Sequence, residues 1–285
     1  MSAVSPTSTT IKGDAPASGT EVTSIGVVGY LNTIPLTAGL ERLAPLELRY
    51  DVPSAQVGML ESGEVDLALC SVIDMVHSSI PLQIVPAGML GCKGKTMTVR
   101  LYSRVPFERI GRINCDQDSH TSVELLRILL RERHGIEPEL VPFDARDSSG
   151  ECDAILLIGD KVVTSTIPED LQTHQLDLGE AWHDMTGQPF VFATWLCRAD
   201  MPPEQLSRVR STARILDRMR RRNAIRLPEL ATHHAARFNW PEDLARHYIV
   251  DLLRYELDEE AITGLKRFLE IAVGSVDSIR LLDWT

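Results

Sequence analysis

No stretch of this chain stays apolar over the roughly 20 residues needed to span a bilayer, so a helical membrane anchor is not expected within it. Positive charge is scarce: 29 Lys and Arg stand against 40 Asp and Glu, a formal net charge of -11. Nucleic acid, whose phosphates such a chain repels, is therefore not an expected partner. An anionic small molecule is not excluded, because a pocket can be locally rich in N–H donors. Cys70, Cys92, Cys115, Cys152 and Cys197 are odd in number and lack metal-type spacing. They read as free thiols in the cytoplasm, with Cys70 and Cys152 in or beside apolar runs as packing residues. No internal repeat, metal-ligand cluster or phosphate loop is visible, and no metal or other cofactor is expected. The N-terminal stretch has neither the apolar core nor the basic leader of a signal peptide. Its Ser, Thr, Ala, Pro and Gly content reads as a disordered tail over 1–23.

What is present is ordinary for a globular protein: 285 residues, 44% hydrophobic and 24% charged, enough for a large core and one or two domains. The chain is organised around IGVVGYLNTIP, Ile25 to Pro35. The run Ile25-Gly26-Val27-Val28 suits a strand buried on both faces. It breaks at Gly29 into Tyr30-Leu31-Asn32-Thr33, and Pro35 suits the first turn of a helix. Open α/β sheets build ligand sites at such junctions, beyond the carboxyl ends of their strands. Asn32 offers a donor and an acceptor, and Thr33 a hydroxyl beside a helix start. Both are equally open to a plain capping role.

Two similar junctions follow. Val65 to Cys70 reads as a strand ending in Ser71, before a helical segment over 72–76. Ile110 to Asn114 reads as a strand running into Asp116-Gln117-Asp118-Ser119-His120-Thr121-Ser122, then a helix over 123–132 with leucines on one face. Ser119, Thr121 and Ser122 against exposed helix-start N–H groups make an arrangement that binds carboxylates or phosphates. His120 in that junction is a candidate contact or simply an exposed histidine. Cys152 to Ile158 is a further strand, ending in Gly159-Asp160. Asp160 there is a candidate base, a cap or a lobe-to-lobe hydrogen bond. Strands are also expected at 46–50, 82–87, 98–102, 139–142 and 190–196, with GMLGCKGKT between 87 and 98 as a loop. From about Pro203 the chain is helical, and its basic run Arg218 to Arg222 reads as a solvated helix face. Alternating strands and helices imply a parallel-dominated sheet with covered faces. With no new sheet after Trp195, the helical third must pack onto one already made. The expectation is two α/β lobes with a ligand cleft between them: 24–100 plus 191–285, and 101–190, joined by crossing strands near Thr98–Tyr102 and Phe190–Leu196.

The ordered set GYLNTIPL, VPSAQVGMLESGEVDLALCSV, DSHTSVELLRILL, CDAILLIGD and TGQPFVFATW resembles the chorismate dehydratases of the futalosine route to menaquinone, from about residue 24 to 285. The resemblance implies the two-lobed fold of type II periplasmic binding proteins, used as a cytoplasmic enzyme. It implies chorismate as substrate and loss of water to give 3-[(1-carboxyvinyl)oxy]benzoate. The sister family, the 1,4-dihydroxy-6-naphthoate synthases, carries a catalytic histidine where this chain has Gly159 and lacks a turn like Asn32-Thr33; both differences favour the dehydratase. The dehydratase pattern usually has Ser where this chain has Thr98, which keeps the hydroxyl, adds a methyl and stiffens the first torsion. On this resemblance Asn32 and Thr98 are expected to be catalytic, and Tyr30, Thr33, Ser71, Ser119, Thr121, Ser122, Gly159 and Asp160 to bind substrate. The base is either a protein side chain or the substrate's own enolpyruvyl carboxylate, with the protein mainly positioning it. The alternative function is a non-catalytic two-lobed binding protein for a small carboxylate.

Overall fold

The structure, a computed structural model, describes residues 9–12, 22–43, 46–143, 152–274 and 279–284. Its strands are β1 (Thr9–Lys12), β2 (Thr23–Val28), β3 (Leu46–Asp51), β4 (Leu67–Ser71), β5 (Leu82–Cys92), β6 (Val99–Ser103), β7 (Arg112–Asp116), β8 (Glu139–Phe143), β9 (Ala154–Ile158), β10 (His174–Asp177), β11 (Phe190–Arg198) and β12 (Leu253–Arg254). They form two sheets, ordered β1-β3-β2-β4-β11-β5-β12 and β10-β6-β9-β7-β8, one in each lobe of an α/β fold. After β11 the chain is helical over Pro203–Ala224, Leu227–Ala235, Glu242–His247 and Glu259–Val273, with a π-turn at Tyr248–Leu252. Among the described residues this part adds β12 and a single bridge from Leu281 to Ile84 to the first sheet, and packs onto it. No described helix is long and apolar enough to cross a membrane.

Four features differ from the sequence reading. The sheets are mixed rather than parallel-dominated. Only β2–β3, β2–β4, β7–β8 and β7–β9 are parallel, and the remaining strand pairs are antiparallel. In the first sheet β11 returns from the second lobe and inserts between β4 and β5 in the reverse direction; in the second, β6 runs antiparallel to both β9 and β10. Second, the strands expected to cross between lobes do not. Val99–Ser103 pairs only in the second sheet and Phe190–Arg198 only in the first. The chain changes sheet at 93–98 and again through the helix Leu178–Thr186 and residues 187–189. Third, Gly88 to Cys92 belongs to β5 and not to a loop. Gly88, at φ 148, takes up a bulge against β11, a conformation glycine reaches without a Cβ penalty. The bulge flips the strand: Val85 and Ala87 lie in the same core as Leu67 and Leu69, while Met89 joins Ala68 and Cys70 on the opposite face. Fourth, Thr9–Lys12, placed within the tail by sequence, pairs antiparallel with β3; Thr9, Thr10 and Ile11 are β-branched and favour an edge strand. The rest of that expected tail up to Glu21 lies outside the described residues.

The lobes share apolar packing on one side of the cleft. One core runs from Ala68, Cys70, Ile84 and Met89 of the first sheet, through Leu125, Leu126 and Leu129 of the helix His120–His134, to Leu101, Ile113 and Leu156 of the second sheet. Trp182, Phe190 and Phe268 meet edge to face where the chain changes sheet, with centroids 5.3, 5.0 and 6.1 Å apart. Gly264, inside the helix Glu259–Val273, allows this approach. A Cβ there would lie 2.1 Å from the Pro189 carbonyl oxygen. On helix propensity alone, Gly264→Ala would stabilise by about 1 kcal/mol. Here the collision dominates, and the variant should instead lose about 1–3 kcal/mol. Urea unfolding checks the sign, and a stabilised variant would contradict this packing.

Candidate active site

The turn after β2 is wound as a single 3-10 turn, Leu31–Thr33, leading into a short helix with Pro35 in its first turn. Its groups point in different directions. The Tyr30 hydroxyl donates to Asp118 of the second lobe, and the Leu31 N–H donates to Asp160 Oδ2 at 3.2 Å. Asn32 is 7% exposed. Its Nδ2 donates to the Tyr248 hydroxyl at 3.2 Å, and its Oδ1 is buried without a partner. The Thr33 hydroxyl donates to the carbonyls of Val28 (2.7 Å) and Tyr30 (2.8 Å). Thr33 therefore closes the turn behind it, and its side chain does not cap the helix that follows.

Facing this turn is the start of the helix His120–His134. Ser119 is its N-cap, accepting from the Ser122 N–H at 3.2 Å and from the Ser122 hydroxyl at 3.0 Å. The Thr121 hydroxyl accepts from the Ile73 N–H of the first lobe at 3.4 Å. All three hydroxyl residues are buried. Ser71, at the end of β4, is also buried, and its side chain has no hydrogen-bond partner among the described residues. Thr98 lies just before β6, where its hydroxyl and that of Tyr248 share a hydrogen bond of 2.5 Å. The residue before it, Met97, has φ 62, a strained conformation for a side-chain-bearing residue. Asp177 holds it there, accepting from the N–H of Met97 (2.7 Å) and of Thr96 (3.0 Å) while capping the helix Leu178–Thr186. Gly159, at φ 62, donates its N–H to the Thr98 carbonyl at 2.8 Å. A Cβ at Gly159 would stand 3.1 Å from the Tyr30 ring, so a larger residue here would push that ring back by a few tenths of an ångström.

The charges around the cleft are largely paired. Asp160 accepts from Leu31 and, through Oδ1, from Trp240 Nε1 at 3.0 Å. Burial pushes its carboxyl up to about 6, against the pull of those two donors. Trp240 stacks on Tyr248, centroids 5.0 Å apart and planes 11° from parallel. The Lys161 ammonium sits between Asp116 (2.6 Å) and Asp118 (2.7 Å). His120 reaches Asp74 across the cleft at 2.7 Å, and that hydrogen bond raises its pKa. A pocket of about 390 Å³ opens on this flank, lined among others by Glu61, Asp74, His77, His120 and Glu124. Three carboxylates make it a poor seat for a dianion. The polar atoms gathered around Asn32 and the 120–134 helix start are hydroxyls and N–H groups, suited to an anion or an alcohol.

Reasoning from sequence missed Lys161, Trp240 and Tyr248, and did not single out Asp118 within its motif. Trp240 precedes the helix Glu242–His247 and Tyr248 follows it, so no helical spacing pairs the two, and nothing local tied either to the first turn. The raised Asp160 carboxyl has a consequence for stability. Its contribution is fully present below about 4 and is lost as pH rises through about 6. Stability relative to Asp160→Asn should therefore fall over that window. Chemical unfolding of both proteins across it checks this, and a flat difference would show that burial does not govern the carboxyl.

Comparison with known proteins bears on the family and the fold. A family model described as menaquinone biosynthesis matches residues 23–273. A chorismate dehydratase of Thermus thermophilus is 31% identical over 264 residues, covering 86% of this chain and 93% of its own. Among solved structures, protein AF1704 of Archaeoglobus fulgidus superposes with a TM-score of 0.66 at 16% identity, covering 90% of this chain and 98% of its own. The periplasmic aliphatic sulphonate binding protein SsuA of Escherichia coli gives 0.58 at 15% identity, covering 88% and 91%. These two structures bear on the fold alone, which is the two-lobed periplasmic-binding-protein type. With its lobes, its ordered turns and these matches, the chain belongs to the menaquinone biosynthesis family that includes the chorismate dehydratase of Thermus thermophilus.

Proposed function

We propose that this protein is a chorismate dehydratase, a hydro-lyase that removes water from chorismate to give 3-[(1-carboxyvinyl)oxy]benzoate. The observation that carries the reading is Asn32. It is held by Tyr248 and has a buried carbonyl oxygen without a partner, in the turn that meets the second lobe through Tyr30 and Leu31 and in a chain whose curated relative is named for this activity. One substrate carboxylate sits at the start of the 120–134 helix, where Ser119, Thr121, Ser122 and the first N–H groups replace a cation. Lys161 does not serve, because two aspartates already hold it. The enolpyruvyl carboxylate takes the proton from the ring carbon that bears its own ether. The electron pair of that C–H bond enters the ring as the neighbouring C–O bond breaks. Hydroxide leaves and takes up a proton to become water, and the ring becomes aromatic. Asn32 and Thr98 face that departing hydroxyl, with Ser71 beside them at the end of β4. Tyr30, Gly159 and Asp160 close the cleft over the substrate. Five free, buried cysteines support a reducing compartment, and we place the protein in the cytoplasm.

Two measurements test the reading. Purified protein mixed with chorismate should deplete it and form the aromatic product by chromatography; chorismate bound but unchanged would favour the binding-protein alternative. Asn32→Asp keeps the size but sets a negative acceptor beside a dianion, and should lose turnover by orders of magnitude with the circular dichroism spectrum intact. For the carboxylate seat, hydrogen bonds to a charged group are worth about 1.5–3 kcal/mol each. Replacing Thr121 and Ser122 together by Ala should raise KM by well over tenfold, and an unchanged KM would leave that motif as a helix cap only.

A further inference from the structure

The residue that sets Asn32 and Thr98 relative to each other is distant from both in sequence. We propose that Tyr248 is a positioning residue: its hydroxyl fixes the sense of a hydrogen-bond chain from Asn32 to Thr98, so that the two ends form a matched acceptor and donor for the alcohol that leaves the substrate. The inference deepens the dehydratase reading and rests on it.

The sense of the chain is set by the orientation of the Asn32 amide and then by counting protons from it. Asn32 Nδ2 donates to the Tyr248 oxygen. The Tyr248 phenol is fully enclosed, 1% exposed, so its own proton must find an acceptor. The partner in reach is the Thr98 hydroxyl oxygen at 2.5 Å. With that lone pair engaged, the Thr98 proton is left to point elsewhere. At the other end the Asn32 carbonyl oxygen is buried and unpartnered. The chain thus ends in one free donor, on Thr98, and one free acceptor, on Asn32. An alcohol both donates and accepts a single hydrogen bond comfortably, so it completes both ends at once. A carboxylate cannot, having no proton for Asn32.

Tyr248 is built to hold this sense. It opens the π-turn Tyr248–Leu252, a local irregularity that recurs at functional sites. Its ring is clamped flat against Trp240, which is itself tied to Asp160 of the other lobe. Burial holds the phenol well above its ordinary titration range, so it stays a neutral dipole and takes no proton from substrate. Without its oxygen, the Asn32 amide is free to turn over and the Thr98 hydroxyl to rotate, and both lose their assigned roles.

The test is Tyr248→Phe, which removes one oxygen and keeps the ring stack. Steady-state kinetics with chorismate should show kcat reduced at least tenfold, with KM raised in step with the weaker binding of chorismate. In calorimetry, the variant should bind chorismate more weakly than the parent does, while binding the alcohol-free product 3-[(1-carboxyvinyl)oxy]benzoate as the parent does. Equal weakening for both ligands, or no change for either, overturns the proposal. Turnover by the unsubstituted protein tests the dehydratase reading separately. Were that protein inactive, the comparison of the two ligands would still decide the role of Tyr248. Should Tyr248→Phe fail to fold, Thr98→Val breaks the same chain from its other end and is read by the same two assays.

Discussion

Asp160 stands at the end of β9 in the second lobe and accepts two hydrogen bonds from the first, one from the Leu31 amide and one from the Trp240 indole. Much else depends on this. Leu31 belongs to the turn that carries Asn32. Trp240 stacks on Tyr248, whose hydroxyl meets both Asn32 and Thr98. One carboxylate therefore ties the lobes together beside the turn and, through Trp240, bears on the attitude of the polar groups between them. The cost is visible in its own chemistry, since burial raises its carboxyl to about 6 even with two donors attached.

Other contacts close the same seam. Tyr30 meets Asp118, the Ser54 N–H donates to the Asp118 carbonyl, Ile73 meets Thr121, and Asp74 meets His120. Opposite them the lobes share an apolar core through Trp182, Phe190 and Phe268. Opening for a ligand therefore breaks polar contacts on one side and bends the connection beside the aromatic cluster. The seam also explains how an acidic chain accommodates a dianion. Its nearby ammonium, Lys161, is already neutralised, so the cleft offers oriented N–H groups and hydroxyls in place of charge. Such groups need no counter-charge and reorganise little, which favours a charge-shifting reaction.

The elements were readable from sequence where the local pattern is strong. Ile25 to Val28 and Cys152 to Ile158 are dense apolar runs ending in glycine and polar residues, and both became strands that open into the cleft. The leucines over 125–130 gave the 120–134 helix, and Ser119 proved to be its cap. What was not readable depends on distant pairing. The reversed insertion of β11 comes from the second passage between lobes, and the bulge at Gly88 from its pairing with β5. Neither leaves a local trace beyond a glycine. Tyr248 lies 216 residues from Asn32 and 150 from Thr98; no periodicity links positions so far apart. The turn itself was legible in its residue types but not in its allocation. Thr33 serves its own turn, and Asn32 is the residue left with an open acceptor.

We propose that chorismate lies between the turn after β2 and the start of the 120–134 helix, with its ring hydroxyl at the Asn32–Thr98 pair. The most direct measurement is a crystal structure of Asn32→Asp grown with chorismate. It should show a substrate carboxylate on the N–H groups and hydroxyls of Ser119 to Ser122, with the ring hydroxyl within hydrogen-bond distance of the Thr98 oxygen. Chorismate found instead in the pocket lined by Asp74 and His120, or with its hydroxyl turned away from Thr98, would contradict the account.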